Sequence, residues 1–359
     1  MMNKMFEVCA KMMGSVTIVA VLSGCSSYTY VRRDSLQRAA DPASPYHRDY
    51  VGWKEGLLSK EELRMKLPHI ALMGDSLSRD FFLSSLPSNA WRLWTKRGRS
   101  WFLDTDPSKE SIYSIYERIE NITPVVAIEY ASPGGGVDDG SGGHAIWEPL
   151  DFSDQVAALL KEERFPDLVV IWLGHNNVNW VNLVEDEQSG DLEERFETIT
   201  HDFREKYARQ LARVLDGAKK KESRTAIVVF GEINFTAYFQ AREGAEALKD
   251  QDPSLFPRLE HCYNTFESMK PKYRDNMIRL AKMQNEELRK LVVEFNEGLS
   301  GESQIYLQYS DGLSTVDISK VDSIHSVDAW HPSSKGHNEL ANSAFEGIRP
   351  SLEFLGIGK

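Results

Sequence analysis

The apolar positions of this chain fall into short unbroken runs that alternate with longer, periodically apolar stretches. Residues 69–73 (HIALM), 124–130 (PVVAIEY), 167–173 (DLVVIWL), 226–230 (AIVVF) and 304–308 (QIYLQ) have strand length. The first four give way to Gly74, the Gly-rich stretch 132–143, Gly174 and Gly231. Short apolar runs halted by glycine predict strands buried on both faces. Between them, residues 154–163 carry Val156, Leu159 and Leu160, and residues 203–215 carry Phe203, Tyr207, Leu211 and Leu215. Residues 276–295 repeat Ile278, Leu280, Met283, Leu288, Leu291, Val292 and Phe295. Each of these three spacings places one apolar stripe on a helix. Strands alternating with amphipathic helices predict an α/β fold, a parallel sheet with helices on both faces. Ligands of such sheets sit beyond the carboxyl ends of the strands. The turns that follow the strands are therefore where chemistry is expected.

Two stretches look inserted at strand ends and would overhang that face. Residues 178–200 are acidic and loop-like, and residues 236–272 are mixed, with Pro253, Pro257 and Pro271. The folded domain so outlined runs over 69–359. Residues 25–68 are polar and broken by Pro42 and Pro45, which predicts a tether with one short helix near 60–66.

The first 24 residues read as a signal peptide. Lys4 and Lys11 precede the apolar run 15–22, and Ser23 and Gly24 close it. The run is far shorter than the roughly 20 residues that span a bilayer. Leu22-Ser23-Gly24-Cys25 resembles a bacterial lipobox. That resemblance implies an acylated Cys25, such as a palmitate-bearing one, as first residue of a membrane-anchored lipoprotein in the cell envelope. Ser26 in place of Asp leans towards the outer membrane. Loss of the leader removes Cys9, so Cys262 is left as one ordinary thiol without a disulfide partner. It reads as a bystander more readily than as a nucleophile. The net charge of −12 argues against a nucleic-acid partner, which needs clustered Lys and Arg. Lys219-Lys220-Lys221 reads as a solvated helix end.

Four turns carry candidate chemistry. Gly74-Asp75-Ser76-Leu77 puts a hydroxyl at the rim of the sheet among free N–H groups; Asp and Ser there also suit plain helix capping. Ser132-Pro133-Gly134-Gly135-Gly136 offers backbone N–H donors, and no Lys-Ser/Thr follows to make it a nucleotide loop. Gly174-His175-Asn176-Asn177 offers a sharp turn and a side-chain amide, or merely an Asn-rich turn. Asp328-Ala329-Trp330-His331-Pro332 places a carboxylate three residues before an imidazole, in a turn that equally serves as the entry to a helix through Ala344. A serine hydroxyl needs such a base, held in one tautomer by a carboxylate. His144, His325 and His337 compete, and His325 follows Asp322 at the same spacing; Pro332 and the helix beyond it favour His331.

Taken in order, these turns resemble the motifs of the SGNH/GDSL hydrolase family over about residues 69–345. Glu129 stands where the family's second motif usually opens with Asn, and Asn177 where Asp usually follows the donor Asn176. The resemblance implies a three-layer α/β/α fold with a flavodoxin-like sheet. It further implies ester hydrolysis with Ser76 as nucleophile, Asp328 and His331 as its activating pair, and Ser76, Gly134 and Asn176 as oxyanion donors. No metal or organic cofactor is implied, and no His/Cys cluster has zinc spacing. A lipase, phospholipase or carboxylesterase is the first expectation and a carbohydrate or peptidoglycan O-acetylesterase the second. A binding lipoprotein that keeps only the fold is disfavoured by the intact site residues. The aromatic residues Phe81, Phe82, Trp91, Trp94, Trp101, Phe102, Trp147, Trp172, Trp180 and Trp330 suit acyl chains, sugar rings or simply a core.

Overall fold

The computed structural model describes residues 28–30, 33–79, 99–104, 112–137, 150–180, 192–257, 259, 271–299 and 304–358. Six strands form one sheet: β1 (Tyr28–Tyr30), β2 (His69–Gly74), β3 (Val126–Glu129), β4 (Leu168–Trp172), β5 (Thr225–Phe230) and β6 (Ile305–Ser310). Their order is β1-β3-β2-β4-β5-β6. β2 to β6 run parallel, and β1 pairs antiparallel on the β3 edge. Without β1 this is the flavodoxin-like order. β2 and β4 are buried along their whole length, as their unbroken apolar runs require.

Alternation along each strand divides the core in two. Ile70, Leu72, Val170, Trp172, Ala226, Val228 and Phe230 face one side. They pack there against α4 (Ile115–Glu120), α8 (Phe235–Gln251) and α10 (Ser334–Leu355). Ala71, Met73, Val169, Ile171, Ile227 and Val229 face the other. Their partners are α5 (Phe152–Leu159), α7 (Leu192–Lys219) and α9 (Arg274–Glu297). The result is the expected three-layer α/β/α arrangement.

Within 25–68, the described residues 28–30 and 33–68 depart from the expected tether. From β1 onward they are folded against the domain as α1 (Arg33–Ala39), α2 (His47–Lys54) and α3 (Lys60–Lys66), the last being the helix foreseen. Leu36, Leu63 and Leu67 cover Val126 of β3. Tyr46, Tyr50 and Trp53 pack against the same cluster, so apolar contacts dock a segment whose composition is otherwise polar. α3 begins with a capping box between Ser59 and Glu62.

The two supposed insertions also hold helices. Residues 175–180 form α6 (His175–Trp180), and α7 starts at Leu192. α8 fills the first half of 236–272 and stops at Asp252, because Pro253 cannot continue it. α10 is longer than expected, ending in the left-handed cap Gly356. Lys221 is not a solvated cation: its Nζ lies 2.7 Å from Asp167 and also donates to Pro166 O and Arg224 O. Among the described residues no helix is long and apolar enough to cross a membrane. Cys9, Cys25 and Cys262 lie outside the described residues.

Candidate active site

Three adjacent strand ends build the site. Gly74 closes β2 opposite Trp172 of β4, and Ser132 N–H, just past β3, donates to Gly74 O at 3.0 Å. This brings the Ser76 turn, the 132–137 loop and the 174–177 turn side by side. The buried side chain of Gln155 on α5 grips Gly74 through both its N–H (2.9 Å) and its C=O (2.9 Å). The level of the Ser76 turn is thereby set by the helix layer. Ser76–Ser78 is a single 3-10 turn rather than the start of an α-helix, and Asp75 caps it through Leu77 N–H at 2.9 Å. The capping role and the site role therefore coexist.

Asp75 also joins the turns. Its Oδ2 accepts from His175 Nδ1 at 2.9 Å and from Asn176 Nδ2 at 3.5 Å. Asn176 Nδ2 donates further to Gly135 O at 2.7 Å. Asn177 reaches the same loop by accepting from Val137 N–H at 3.0 Å. Gly135 N–H and Gly136 N–H are committed to Ser132 O and Asp151 Oδ1. Among the described residues, Ser76 N–H and Gly134 N–H have no acceptor. Gly134 has φ +77, a conformation glycine adopts without steric cost. The Ser132–Gly136 turn thus singles out Gly134 rather than Gly135 as its available donor.

The last turn carries the dyad. His331 Nδ1–H donates to Asp328 Oδ2 at 2.6 Å, while Asp328 Oδ1 accepts Trp330 N–H (3.0 Å) and His331 N–H (3.2 Å). Burial pushes the Asp328 carboxyl up, but the His331 ring and these N–H donors outweigh it and hold it below its ordinary value. The rival pair does not form: Asp322 is exposed and bound to Lys335 Nζ at 2.6 Å, and His325 Nδ1 accepts from Val327 N–H. The buried His337 accepts from Trp101 N–H at 3.3 Å, and burial with the nearby His331 and His325 pushes it down to about 3. Trp101 meets Trp172 edge-on, and Trp172 meets His175. This ring series ties α10, which follows the dyad, to the Asp75 network. His144 lies outside the described residues.

A family model for GDSL-like Lipase/Acylhydrolase matches residues 70–344. The chain belongs to the GDSL-like lipase/acylhydrolase family. In this GDSL-like hydrolase the matched span includes all four motif turns and excludes β1 and α1 to α3. Among curated proteins none matches the sequence. Solved structures of low identity are similar over most of this chain. The lipase Lip_vut3 from a goat rumen metagenome is 15% identical, with 78% of this chain and 97% of that one covered and a TM-score of 0.43. A carbohydrate acetylesterase family member from Sinorhizobium meliloti is 13% identical, with 81% and 100% covered and a TM-score of 0.44. A family two carbohydrate esterase from Cellvibrio japonicus is 13% identical, with 80% and 62% covered and a TM-score of 0.38.

The site of this GDSL-like hydrolase also holds buried polar contacts that the sequence reading did not assign. His175 and Asp75 are both 1% exposed. Glu232, after β5, is fully buried with neither carboxyl oxygen bonded, and burial followed by the charge of Asp75 raises its pKa well above the ordinary value. A Cβ at Gly174, whose φ is +132, would meet Glu232 Oε1 at 2.5 Å. The departure Glu129 forms a buried ion pair with Arg79 at 3.9 Å, and Arg79 donates to Ala131 O at 2.9 Å. That pair links the β3 loop to the end of the Ser76 turn. Of the aromatic residues, Trp101, Phe102 and Trp172 are core, and Trp330 is 7% exposed. Phe81, Phe82, Trp91, Trp94 and Trp147 lie outside the described residues, as does the side chain of Trp180. Among the described residues no group of three or more His, Cys, Asp or Glu side chains could hold a metal ion.

Proposed function

We propose that this GDSL-like hydrolase is a serine esterase that works through an acyl-enzyme on Ser76. The observation that carries the reading is the buried Asp328–His331 pair at 2.6 Å, whose carboxylate fixes the imidazole tautomer that leaves Nε2 as acceptor. Ser76 Oγ attacks the ester carbonyl and passes its proton to His331 Nε2. The oxyanion is received by Ser76 N–H, Gly134 N–H and the Asn176 amide, whose second hydrogen is held only by the long 3.5 Å contact to Asp75. His331 returns the proton to the leaving alcohol, and water then releases the acid by the same route. Removing Ser76 Oγ as Ser76→Ala should abolish hydrolysis of p-nitrophenyl esters in a folded protein. Full turnover in that variant would sink the mechanism.

The substrate we favour is a lipid ester at a membrane. Cys25 stands three residues before Tyr28, and Tyr28 pairs with Glu129 at the end of β3 from which the Gly134 loop departs. Three extended residues reach at most about 10 Å. An acylated Cys25 would therefore hold the carboxyl ends of the strands close to the bilayer, most simply at the outer membrane. A panel of p-nitrophenyl esters of graded length, phospholipid vesicles and acetylated sugars tests this. Preference for acetylated sugars over every lipid ester would favour the O-acetylesterase reading instead.

A further inference from the structure

The turn that carries the dyad is strained, and something outside it holds the strain. Ala329, between Asp328 and His331, has φ +50. A residue with a Cβ pays for that left-handed conformation, which glycine would adopt freely. Relaxation to negative φ would rotate the peptide that follows Asp328, and with it the three bonds by which Asp328 meets Trp330 and His331. The turn's own backbone closes it only partly, through Ala329 N–H to His325 O (2.9 Å) and His325 N–H to His331 O (2.7 Å). Neither bond engages the Ala329 carbonyl.

That carbonyl is taken by α8. Arg242 Nη1 donates to Ala329 O at 2.9 Å and Tyr238 Oη donates to it at 3.2 Å. The two residues are four apart and so lie on one helix face. Arg242 is fully buried, a costly place for a guanidinium unless its donors are used. Its Nη2 donates to Leu259 O at 3.1 Å, and its Nε faces Glu246 at 3.5 Å. Glu246 is held in turn by Arg274 at 2.6 Å. The Tyr238 ring also meets the Trp330 ring edge-on at 4.7 Å. A buried charge, a hydroxyl and an aromatic ring from one helix thus converge on the two residues between Asp328 and His331.

We infer that Arg242 and Tyr238 are positioning residues, which clamp the Ala329 carbonyl and hold the strained turn in the form that aligns Asp328 with His331. The inference rests on the acyl-enzyme reading above, in which that pair activates Ser76. The clamp touches no substrate. Its loss should lower turnover and leave substrate binding nearly unchanged. It also has a specific suppressor: glycine at 329 takes positive φ without cost, so the turn should need the clamp less.

The experiment compares Arg242→Met, Tyr238→Phe, Ala329→Gly and the double variant Arg242→Met/Ala329→Gly, with p-nitrophenyl acetate as probe and thermal unfolding alongside. Arg242→Met removes a charge-assisted bond, so kcat should fall by about 10- to 100-fold with KM within about twofold. Tyr238→Phe removes one hydroxyl and should cost about 3- to 10-fold in kcat. Measured against Ala329→Gly alone, Arg242→Met should then cost markedly less than it does in the wild-type turn. A mere packing role would lower Tm equally in both backgrounds and leave the kcat loss unsuppressed, which would overturn the inference. So would wild-type kcat in folded Arg242→Met or, should that variant not fold, in Tyr238→Phe. Ser76→Ala is measured in parallel: retained turnover there would overturn the acyl-enzyme reading itself, independently of the clamp.

Discussion

Asp75 serves two turns with two oxygens. Oδ1 caps Leu77 N–H, which shapes the Ser76 turn, and Oδ2 receives His175 and Asn176 from the neighbouring strand end. The Asn176 amide is therefore anchored before substrate arrives, as a preorganised donor should be. Asn176→Ala should lower kcat by about two to three orders of magnitude with little change in KM. A change in KM alone would make Asn176 a substrate contact. Glu232 makes a different prediction, on stability. Its folded pKa lies well above the ordinary 4.5 because burial and the nearby Asp75 disfavour its charge. The folded state then binds a proton that the unfolded state has lost. Any stability linked to Glu232 is fully present below about pH 4.5 and declines as pH rises towards the folded value, by about 1.4 kcal/mol per unit. Glu232→Gln has no such dependence. Its Tm should exceed that of wild type by more at pH 8 than at pH 5, and a gap that is constant across that range would show Glu232 ionised in the fold.

At the scale of elements, the segment from the 3-10 turn Val321–Ser323 to the cap Ser333 is one closed unit. Ile324 bridges Pro332, Ser333 N–H donates to Ser323 O at 3.0 Å, and Ser333 Oγ caps α10 through Gly336 N–H. Both histidines sit in it, yet they differ in kind. His331 contributes a ring to Asp328, whereas His325 contributes chiefly a backbone N–H to His331 O and a backbone C=O to Ala329 N–H, which alanine would keep. His331→Ala should therefore slow single-turnover acylation of Ser76 by several orders of magnitude, and His325→Ala should change it little. The reverse result would transfer the base to His325. Asp328→Asn should resemble a milder His331→Ala, since the ring keeps its place but loses its preferred tautomer.

For the whole molecule, the proposed lipid anchor bears on how the domain would be held. The expected flexible tether would have let the domain turn freely, but β1 and α1 to α3 are docked on the β3 edge. An anchor at Cys25 would then act on a rigid body. Cys25→Ser should move the protein from the membrane to the soluble fraction of the envelope. Unchanged membrane partitioning of that variant would place the anchor elsewhere.

The strands and the glycines that stop them were legible because each is a local pattern: a run buried on both faces has no polar position to interrupt it, as in 167–173. The turns that carry Ser76, Gly134 and Asn176 could be placed because each follows a strand end, where the chain has few ways to go; Asp328 and His331 pair within one short turn. The 192–200 stretch of α7 was hidden behind an acidic composition, since a helix with one buried stripe shows mostly its solvent face. The helices within 33–54 were hidden for the same reason, with Leu36 packing beside Leu63 and Leu67 on Val126. Asp322 and Asp328 stand at the same spacing from a histidine, and only the fold separates them, because Lys335 draws Asp322 to solvent while the turn folds Asp328 onto His331. Asp75 with His175, Arg79 with Glu129, and Arg242 with Ala329 join positions from 50 to 100 residues apart. Sequence determines which groups a chain can offer, through local pattern and covalent spacing; which of them become partners is decided by packing, because burial makes an unpaired polar group costly only once the sheet has brought the strand ends together.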